Sequence, residues 1–390
     1  MPALNNATKI ALLTFFSNLY FYNHIGTLYF QSRGLNLLQV SSVTSIIVAS
    51  VFLAEVPTGV LADRIGRKGS VIMALLLQTL GEVLFLFAES YAAFVMIAII
   101  AGVGFAFASG ATEALVYDSL PPGTDREAGM KRAMGNVGSA YYLAFFTAPL
   151  VGGLLVTELT LSKYLLVIAL TACSVLVALL IALTLDEPPG DAAQSREHPL
   201  TILRAGLGDL IRRPVLRHIL LLTVFTSTFH GVLVSLYQPY FVEAGLSPFL
   251  IGAGLSAGGL LAAVAQRYIY RLPQLVGNRA GLVMAVLLPG IGYILLGLAT
   301  GMLPVFLLFV LTHAALDLKK PLLSAYQNQH LDSQTRATAL SLINMLASIY
   351  VAVMSLVYGA LADHSLSLTF VVMGAVMIVA ARLLRVDKLY

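Results

Sequence analysis

The sequence predicts an all-α integral membrane protein with twelve transmembrane helices in two six-helix, pseudo-symmetric halves. Three observations predict it: an apolar composition, a series of membrane-length apolar runs, and an internal repeat. Of 390 residues, 58% are hydrophobic and only 11% are charged, whereas soluble domains are about a quarter charged. Lipid offers no hydrogen-bond partners, so each run is expected to be a helix that satisfies its own backbone.

The apolar runs, separated by short turns, define twelve spans. Each has about 20 residues or more, enough to cross roughly 30 Å of hydrocarbon at about 1.5 Å per residue. A membrane barrel would show short alternating strands, and these runs do not alternate. The spans are residues 9–30, 38–62, 69–89, 92–118, 130–156, 163–185, 214–240, 248–270, 280–299, 302–326, 336–362 and 366–386.

One long polar interruption divides the chain into residues 1–185, a linker at 186–213, and residues 214–390. Within the linker, leucines recur at helical spacing between residues 200 and 210, with arginines off that face. This pattern predicts a short amphipathic helix at the cytoplasmic surface. The three parts are therefore two six-helix halves and a cytoplasmic linker.

The two halves repeat one another when the first is shifted by 211 residues. The register stays constant over spans 1–3 and 7–9, without a gap. Two similar halves related by an axis along the membrane normal are one known plan for transporters. The matched pairs include Tyr29 with Tyr240, Phe30 with Phe241, Gly34 with Gly245, Gly66 with Gly277, and Gly81 with Gly292.

The net charge of +4 reflects membrane topology rather than nucleic-acid binding. Lysines and arginines concentrate at the predicted cytoplasmic ends of the spans, whereas the predicted outer loops hold only Arg33 and Lys163. This is the positive-inside bias. It places both termini in the cytoplasm.

Residues 59–68, between spans 2 and 3, contain two glycines, one acid and three bases. Their spacing, Gly-x-x-x-Asp-Arg-x-Gly-Arg-Lys, closely resembles the helix 2–3 loop of the major facilitator superfamily, a large family of secondary transporters. The resemblance implies a gating role, and pairing with an acid at the end of helix 4, for which Asp118 matches. The alternative is a basic loop that only sets topology. The gating residues are Gly59, Asp63, Arg64, Gly66, Arg67, Lys68 and Asp118.

The residue types in this segment suit such a role. We expect Gly59 to allow close helix contact, Gly66 to allow a tight turn, and Asp63 to accept from N–H groups at a helix start. In the second half, Gln274 and Asn278 stand where the first has Asp63 and Arg67. The predicted gate is therefore one-sided.

Acids within spans are costly and are candidates for function. Glu55, followed by Pro57, is a candidate to exchange a proton or attract a cationic substrate; the alternative is pairing with a loop arginine. Its repeat counterpart, Gln266, is also polar, which favours a cavity position. Glu113 is a second coupling candidate near Asp118, and Glu82 in span 3 has no obvious partner.

Spans 1 and 7 each carry a polar stripe and one histidine, whose side chain titrates near neutrality. In the superfamily these two helices line the central cavity, so the resemblance makes the stripes candidates for substrate binding. The alternative for each histidine is a neutral residue bonded to a neighbouring helix. The candidates are His24 and His230 for coupling, and Tyr20, Asn23, Thr27, Ser227, Tyr237 and Gln238 for the cavity.

Span 10 contains His313, Asp317, Lys319 and Lys320 immediately before Pro321. Charges inside an apolar run need water or partners, and Asp317 and Lys320 are spaced to pair on one helix face. The alternatives are a structural ion pair and a cavity site. Asp317 is the coupling candidate of the second half.

Span 5 ends in Ala-Pro-Leu-Val-Gly-Gly at residues 148–153, which resembles the Gly-Pro-x-x-Gly-Gly signature of superfamily antiporters. Pro149, Gly152 and Gly153 match, whereas alanine replaces the first glycine. Drug:proton antiporters usually carry an arginine in span 4, where this chain has Ala98. Proton coupling is then expected to use another acid or a histidine.

The resemblance covers the whole chain and implies a multi-pass transporter of the bacterial inner membrane. We expect alternating access that drives efflux of a small amphipathic organic compound by proton entry. The alternatives are uptake of a metabolite by symport, and a receptor or assembly subunit that transports nothing. The sequence shows no Walker A loop, soluble-enzyme constellation or metal-ligand spacing. The expected partners are the substrate, protons and lipid, without nucleic acid or cofactor, and the expected state is monomeric.

Overall fold

The computed structural model describes residues 5–120, 126–187, 214–227, 229–330 and 336–386. Helix accounts for 85% of the structure, and these ranges contain no strand. The helices are α1 Asn6–Ser17, α2 Gly26–Ser32, α3 Leu37–Phe87, α4 Tyr91–Ala108, α5 Ala111–Asp118, α6 Arg126–Leu155, α7 Leu161–Leu183, α8 Pro214–Phe225, α9 His230–Glu243, α10 Pro248–Tyr268, α11 Arg271–Val276, α12 Asn278–Leu298, α13 Met302–Ala315, α14 Lys319–His330, α15 Arg336–Ala362 and α16 Leu366–Leu383.

Ten helical stretches in the described ranges are long and apolar enough to cross a membrane. One of them, α3, has 51 residues and is interrupted at Gly66. It therefore holds predicted spans 2 and 3. Predicted span 1 is absent from the ten because it is divided between α1 and α2, each shorter than a membrane crossing. The predicted all-helical membrane fold is confirmed.

The expectation that every span is one continuous helix is wrong for spans 1, 4, 7 and 10. The described residues at the breaks are 18–25, 109–110, 226–227 with 229, and 316–318. Each broken span is the first of three consecutive spans. In transporters, interrupted helices of this kind place backbone groups and side chains where substrates and ions bind.

The breaks free backbone groups that would otherwise bond within a helix. In span 1, the Thr171 hydroxyl accepts a hydrogen bond from the Phe21 N–H at 3.0 Å. In span 7, the Lys319 ammonium donates to the Thr226 carbonyl, and Phe229 adopts a left-handed conformation at φ 49°. Neighbouring spans therefore stabilise the interruptions through side chains.

The chain forms two compact units, Met1–Gly34 with Ile46–Arg196, and Leu35–Ser45 with Glu197–Tyr390. Leu35–Ser45 groups with the second unit because Asp363 accepts from the N–H groups of Leu37 and Leu38, at 2.6 and 3.1 Å. The predicted first half, residues 1–185, includes Leu35–Ser45, whereas this division places that segment in the second unit. The amphipathic helix expected at residues 200–210 lies outside the described residues.

The repeat seen in the sequence recurs in hydrogen bonds. The Tyr29 hydroxyl donates to the carbonyls of Phe85 and Ala88, at 3.0 and 3.5 Å. Tyr240 is its counterpart, 211 residues further along the chain. Its hydroxyl donates to the carbonyls of Leu296 and Ala299, the counterparts of Phe85 and Ala88, at 2.8 and 3.2 Å. The glycine pairs 34/245 and 66/277 all have φ between 78° and 85°. The two units therefore share local geometry as well as sequence.

Candidate functional site

The turn within the 59–68 segment is made by Gly66, whose φ of 78° and ψ of 176° interrupt α3. The helix that resumes after it is capped by Glu187, whose carboxylate accepts from the Arg67 and Lys68 N–H groups at 3.0 and 2.9 Å. The expectation that Asp63 accepts at a helix start is wrong. Asp63 is exposed inside the preceding helix.

Arg67 forms an ion pair with Asp118, the pairing that the resemblance implies. Its guanidinium also donates to the Ala114 carbonyl at 2.8 Å, which ties the loop to α5. A side chain at Gly59 would meet nothing within 4 Å in the described residues, so the expected close helix contact is not found there. Arg64 is exposed.

The second unit keeps the turn but not the ion pair. Gly277 has φ 85° and ψ 156°, close to the values at Gly66. Gln274 and Asn278 line a cleft of about 590 Å³ together with Tyr270 and Pro321. The backbone of the repeat is thus preserved where its charges are not.

Gly66→Ala is expected to lower the thermal unfolding midpoint of the purified protein. The backbone conformation favours glycine and costs alanine about 1–3 kcal/mol, and the new Cβ would lie 2.7 Å from Glu187 Oε1. Gly277→Ala is the matched control, with similar φ but nothing within 4 Å. Gly59→Ala should stay close to wild type. Equal midpoints for G66A and G277A would show that displacing Glu187 costs nothing.

The three embedded acids of the first half differ in environment. Glu55 and Glu113 are exposed, and neither side chain has a hydrogen bond or ion pair within the described ranges. Glu82 is 7% exposed and its Oε1 accepts from the Tyr22 hydroxyl at 3.0 Å. Glu82, for which the sequence suggested no partner, is therefore the one acid of the three that is buried and hydrogen-bonded.

One turn before Glu82, Gln78 extends the polar network. Its amide donates to the Tyr20 hydroxyl at 2.7 Å and to the Ser17 carbonyl at 2.9 Å. Tyr22, two residues further along the broken segment, packs edge to face with Tyr20, with ring centroids 5.8 Å apart. The interruption of span 1 thus brings two tyrosines to span 3.

The helical face predicted for span 1 is wrong, because residues 18–25 are not helical. His24 and Thr27 are buried, whereas Asn23 is half-buried. The antiporter-like signature of span 5 lies against this segment. A Cβ at Gly152 would collide with the Phe21 carbonyl and approach His24 Cε1 at 2.7 Å. Pro149 and Gly153 are also buried.

The second unit contains a cluster of His230, His313, Asp317 and Lys320, named here the Asp317 cluster. Lys320 Nζ lies 2.7 Å from Asp317 Oδ1, and His230 Nδ1 lies 3.9 Å from Asp317 Oδ2. The two imidazole rings pack edge to face, with centroids 4.9 Å apart. The breaks in spans 7 and 10 thus assemble one acid, one base and two histidines.

Lys319, the residue before Lys320, is buried. It hydrogen-bonds to Thr226 at the break in span 7 rather than to the Asp317 cluster. Its ammonium donates to the Thr226 carbonyl and lies 3.0 Å from the Thr226 hydroxyl. About two helical turns after Lys319, the Gln327 amide donates to the Thr223 hydroxyl at 3.0 Å. These contacts hold span 10 against span 7.

The polar face predicted for span 7 is wrong for the same reason as in span 1: the helix ends at Phe225 and a new one begins at His230. Ser227 lies in the break and donates to the Thr223 carbonyl at 3.2 Å. Tyr237 is fully buried and stacks on Phe309, with centroids 4.3 Å apart. Gln238 is also buried. These last two candidates lie in the packed core.

Gln266, the remaining cavity candidate, is half-buried near the end of α10. Its carbonyl accepts from the Ile269 N–H at 3.4 Å. No described contact joins its side chain to the Asp317 cluster, so its substrate-binding role stays a prediction.

Lys319→Met is expected to destabilise the purified protein by about 1–3 kcal/mol, because the Thr226 carbonyl loses its donor within an apolar region. Lys131→Met is the control, since the Lys131 side chain is 74% exposed and its partner Glu127 is also exposed. Thermal unfolding in detergent compares the two. A K319M midpoint equal to that of K131M would show that another group satisfies the break.

Repeated units and interrupted spans are features that many secondary transporters share. The family model described as Major Facilitator Superfamily matches residues 10–312, and the chain belongs to that superfamily. An uncharacterized MFS-type transporter, YxaM of Bacillus subtilis (strain 168), is 22% identical over 372 residues, covering 92% of this chain and 89% of that protein.

Solved structures share the fold at low identity. The nucleoside transporter NupG has a TM-score of 0.80 at 14% identity, covering 99% of this chain and all of that one. A bacterial homologue of the human lysosomal transporter Spinster has a TM-score of 0.75 at 15% identity, covering 98% and 96%. A peptide transporter POT bound to sulfate has a TM-score of 0.72 at 16% identity, covering 98% and 95%. The predicted superfamily is confirmed.

Proposed function

We propose that the protein is a proton-coupled exporter of a small, amphipathic organic compound. The observation that carries the proposal is the Asp317 cluster, an acid paired with Lys320 at the break of span 10. Ionisable side chains inside membrane spans mark ion and substrate pathways by default. Interrupted helices are also where secondary transporters build their ion sites.

The cluster is suited to link a proton to a change in contacts. Asp317 is largely buried, whereas Lys320 is mostly exposed. A proton taken up by the carboxylate cancels its attraction for the ammonium, and loss of that proton restores it. His230 Nδ1 lies 3.9 Å from Asp317 Oδ2, beyond a direct hydrogen bond, so a proton would pass between them through one bridging water. A charge moving down 100 mV supplies about 2.3 kcal/mol, roughly a fiftyfold gradient.

The direction of transport rests on span 5. Its Pro149, Gly152 and Gly153 resemble the antiporter signature, and the signature packs against the broken segment of span 1. Ala98 stands where drug:proton antiporters carry an arginine, so the coupling acid is assigned to span 10 instead. The 59–68 segment is assigned to gating during alternating access. The charge bias of the loops supports cytoplasmic termini, and the protein is assigned here to the inner membrane as a monomer.

Flux in proteoliposomes tests the proposal. Purified protein is reconstituted with a pH-sensitive dye inside, and a panel of organic cations, nucleosides, peptides and organic acids is applied under an imposed pH gradient. Export by antiport requires substrate and protons to cross in opposite directions. Movement in the same direction establishes symport. Absence of flux for the whole panel, in vesicles where a known transporter is active, would overturn the transporter assignment.

A further inference from the structure

The first unit carries a second acid that the proposed coupling centre does not use. Glu82 is buried, and its Oε1 accepts from the Tyr22 hydroxyl. Its Oε2 is enclosed and has no hydrogen-bond partner among the described residues. No described cationic side chain pairs with this carboxyl, and the titratable groups around it are Tyr20 and Tyr22.

The fold itself does not require an acid at this position. The repeat places Tyr293 of the second unit where the first has Glu82. Tyr293 is fully buried and stacks on Phe370, with centroids 6.3 Å apart. Likewise, Leu233 stands in the place of Tyr22. Packing of the repeated unit is therefore achieved elsewhere without the carboxyl or its hydroxyl donor, and burying an unpaired charge is costly.

We infer that Glu82 is a proton-binding site, with the exchangeable proton on Oε2 and Tyr22 as the positioning residue that donates to Oε1. A proton is the occupant we assign, because Oε2 is enclosed and neither a hydrogen-bond donor nor a cationic side chain among the described residues pairs with it. When the site empties, the proton passes to water and the Tyr22 hydroxyl remains bonded to the carboxylate. This inference deepens the proposed function and rests on it for its role in transport.

The broken segment of span 1 gives this site a means of opening. Tyr22 lies in residues 18–25, which are not helical, whereas Glu82 lies on continuous helix in α3. A shift of the segment changes the hydroxyl donor without unfolding a helix. Gln78 also holds the Tyr20 hydroxyl of this segment and the Ser17 carbonyl at the end of α1, so a shift of the segment would change these bonds as well. Substrate binding at the break would thereby change how strongly Glu82 holds its proton.

Infrared difference spectroscopy of the full-length protein in lipid, recorded as the pH is changed, tests the inference without a substrate. The wild type should show a buried carboxylic-acid C=O band that disappears as pH rises. Glu82→Gln should lose that band, whereas Glu113→Gln, at an exposed acid, should keep it. Tyr22→Phe should retain the band at higher frequency, because the C=O loses its hydrogen bond.

Persistence of every titrating band in E82Q would overturn the inference. If E82Q does not fold, an unchanged band frequency in Y22F has the same consequence. Transport distinguishes the two proposals. E82Q should reduce pH-driven flux at least tenfold and spare substrate counterflow; equal losses of both would reduce Glu82 to a structural role. A wild type that shows the Glu82 band but no proton-driven flux would sink the proposed function alone.

Discussion

Asp317→Asn is expected to lower pH-gradient-driven flux at least tenfold, which corresponds to about 1.4 kcal/mol in the barrier. Asparagine keeps the shape of the side chain but cannot bind and release a proton, and it leaves Lys320 without the partner seen at 2.7 Å. Counterflow of labelled substrate without a gradient should stay within about twofold of wild type, because it needs no net proton movement.

Two controls separate coupling from folding. Glu158→Gln removes an acid that is exposed, has no described ion pair and is not a coupling candidate, so it should leave both modes of transport unchanged. Asp317→Asn combined with Lys320→Gln removes both charges and restores local neutrality. If the single variant is inactive only through misfolding, the double variant should recover gradient-driven flux. Full gradient-driven flux in D317N would remove Asp317 from the mechanism.

The repeat allowed much of the fold to be predicted. A constant shift of 211 residues aligned Tyr29 with Tyr240, and both hydroxyls bond carbonyls at equivalent positions. Gly66 was expected to make a turn, and its φ is positive. Such predictions succeed because they rest on local backbone requirements, which a residue type expresses directly.

The breaks in spans 1, 4, 7 and 10 could not be predicted in the same way. Hydropathy averages over a window, and the residues at these breaks are mostly apolar or small. Residues 226–229 are Thr-Ser-Thr-Phe, with no proline or glycine. What permits that break is Lys319, far along the chain, whose ammonium satisfies the Thr226 carbonyl. The polar stripes predicted on uninterrupted helices were therefore wrong.

Glu82 shows the same limit for the candidate site. Its hydrogen-bond donor, Tyr22, is 60 residues away, so no spacing within span 3 revealed the pair. The one available signal was the repeat, in which Tyr293 occupies the equivalent position. The sequence therefore does show one difference between the halves: a carboxyl in the first half at the position where the second half has an aromatic ring. Its importance follows only once both positions are known to be buried.

The pair formed by Arg67 and Asp118 is expected to act as a unit in transport. Arg67→Gln and Asp118→Asn should each slow flux at least tenfold, since either change leaves the other charge without its partner. The double variant should be no slower than the worse single variant, giving a coupling energy of about 1–3 kcal/mol. Flux in proteoliposomes, corrected for the amount of folded protein, provides the four rates.

The chain offers a matched control for this cycle in Glu127 and Lys131, whose charged groups lie 2.6 Å apart in the first unit. Both side chains are more than 70% exposed, so their coupling should be below about 0.5 kcal/mol. By contrast, Asp118 is largely buried and Arg67 also holds the Ala114 carbonyl. Additive losses at Arg67 and Asp118 would mean that the two residues serve separate steps, and that the ion pair is a contact without a gating role.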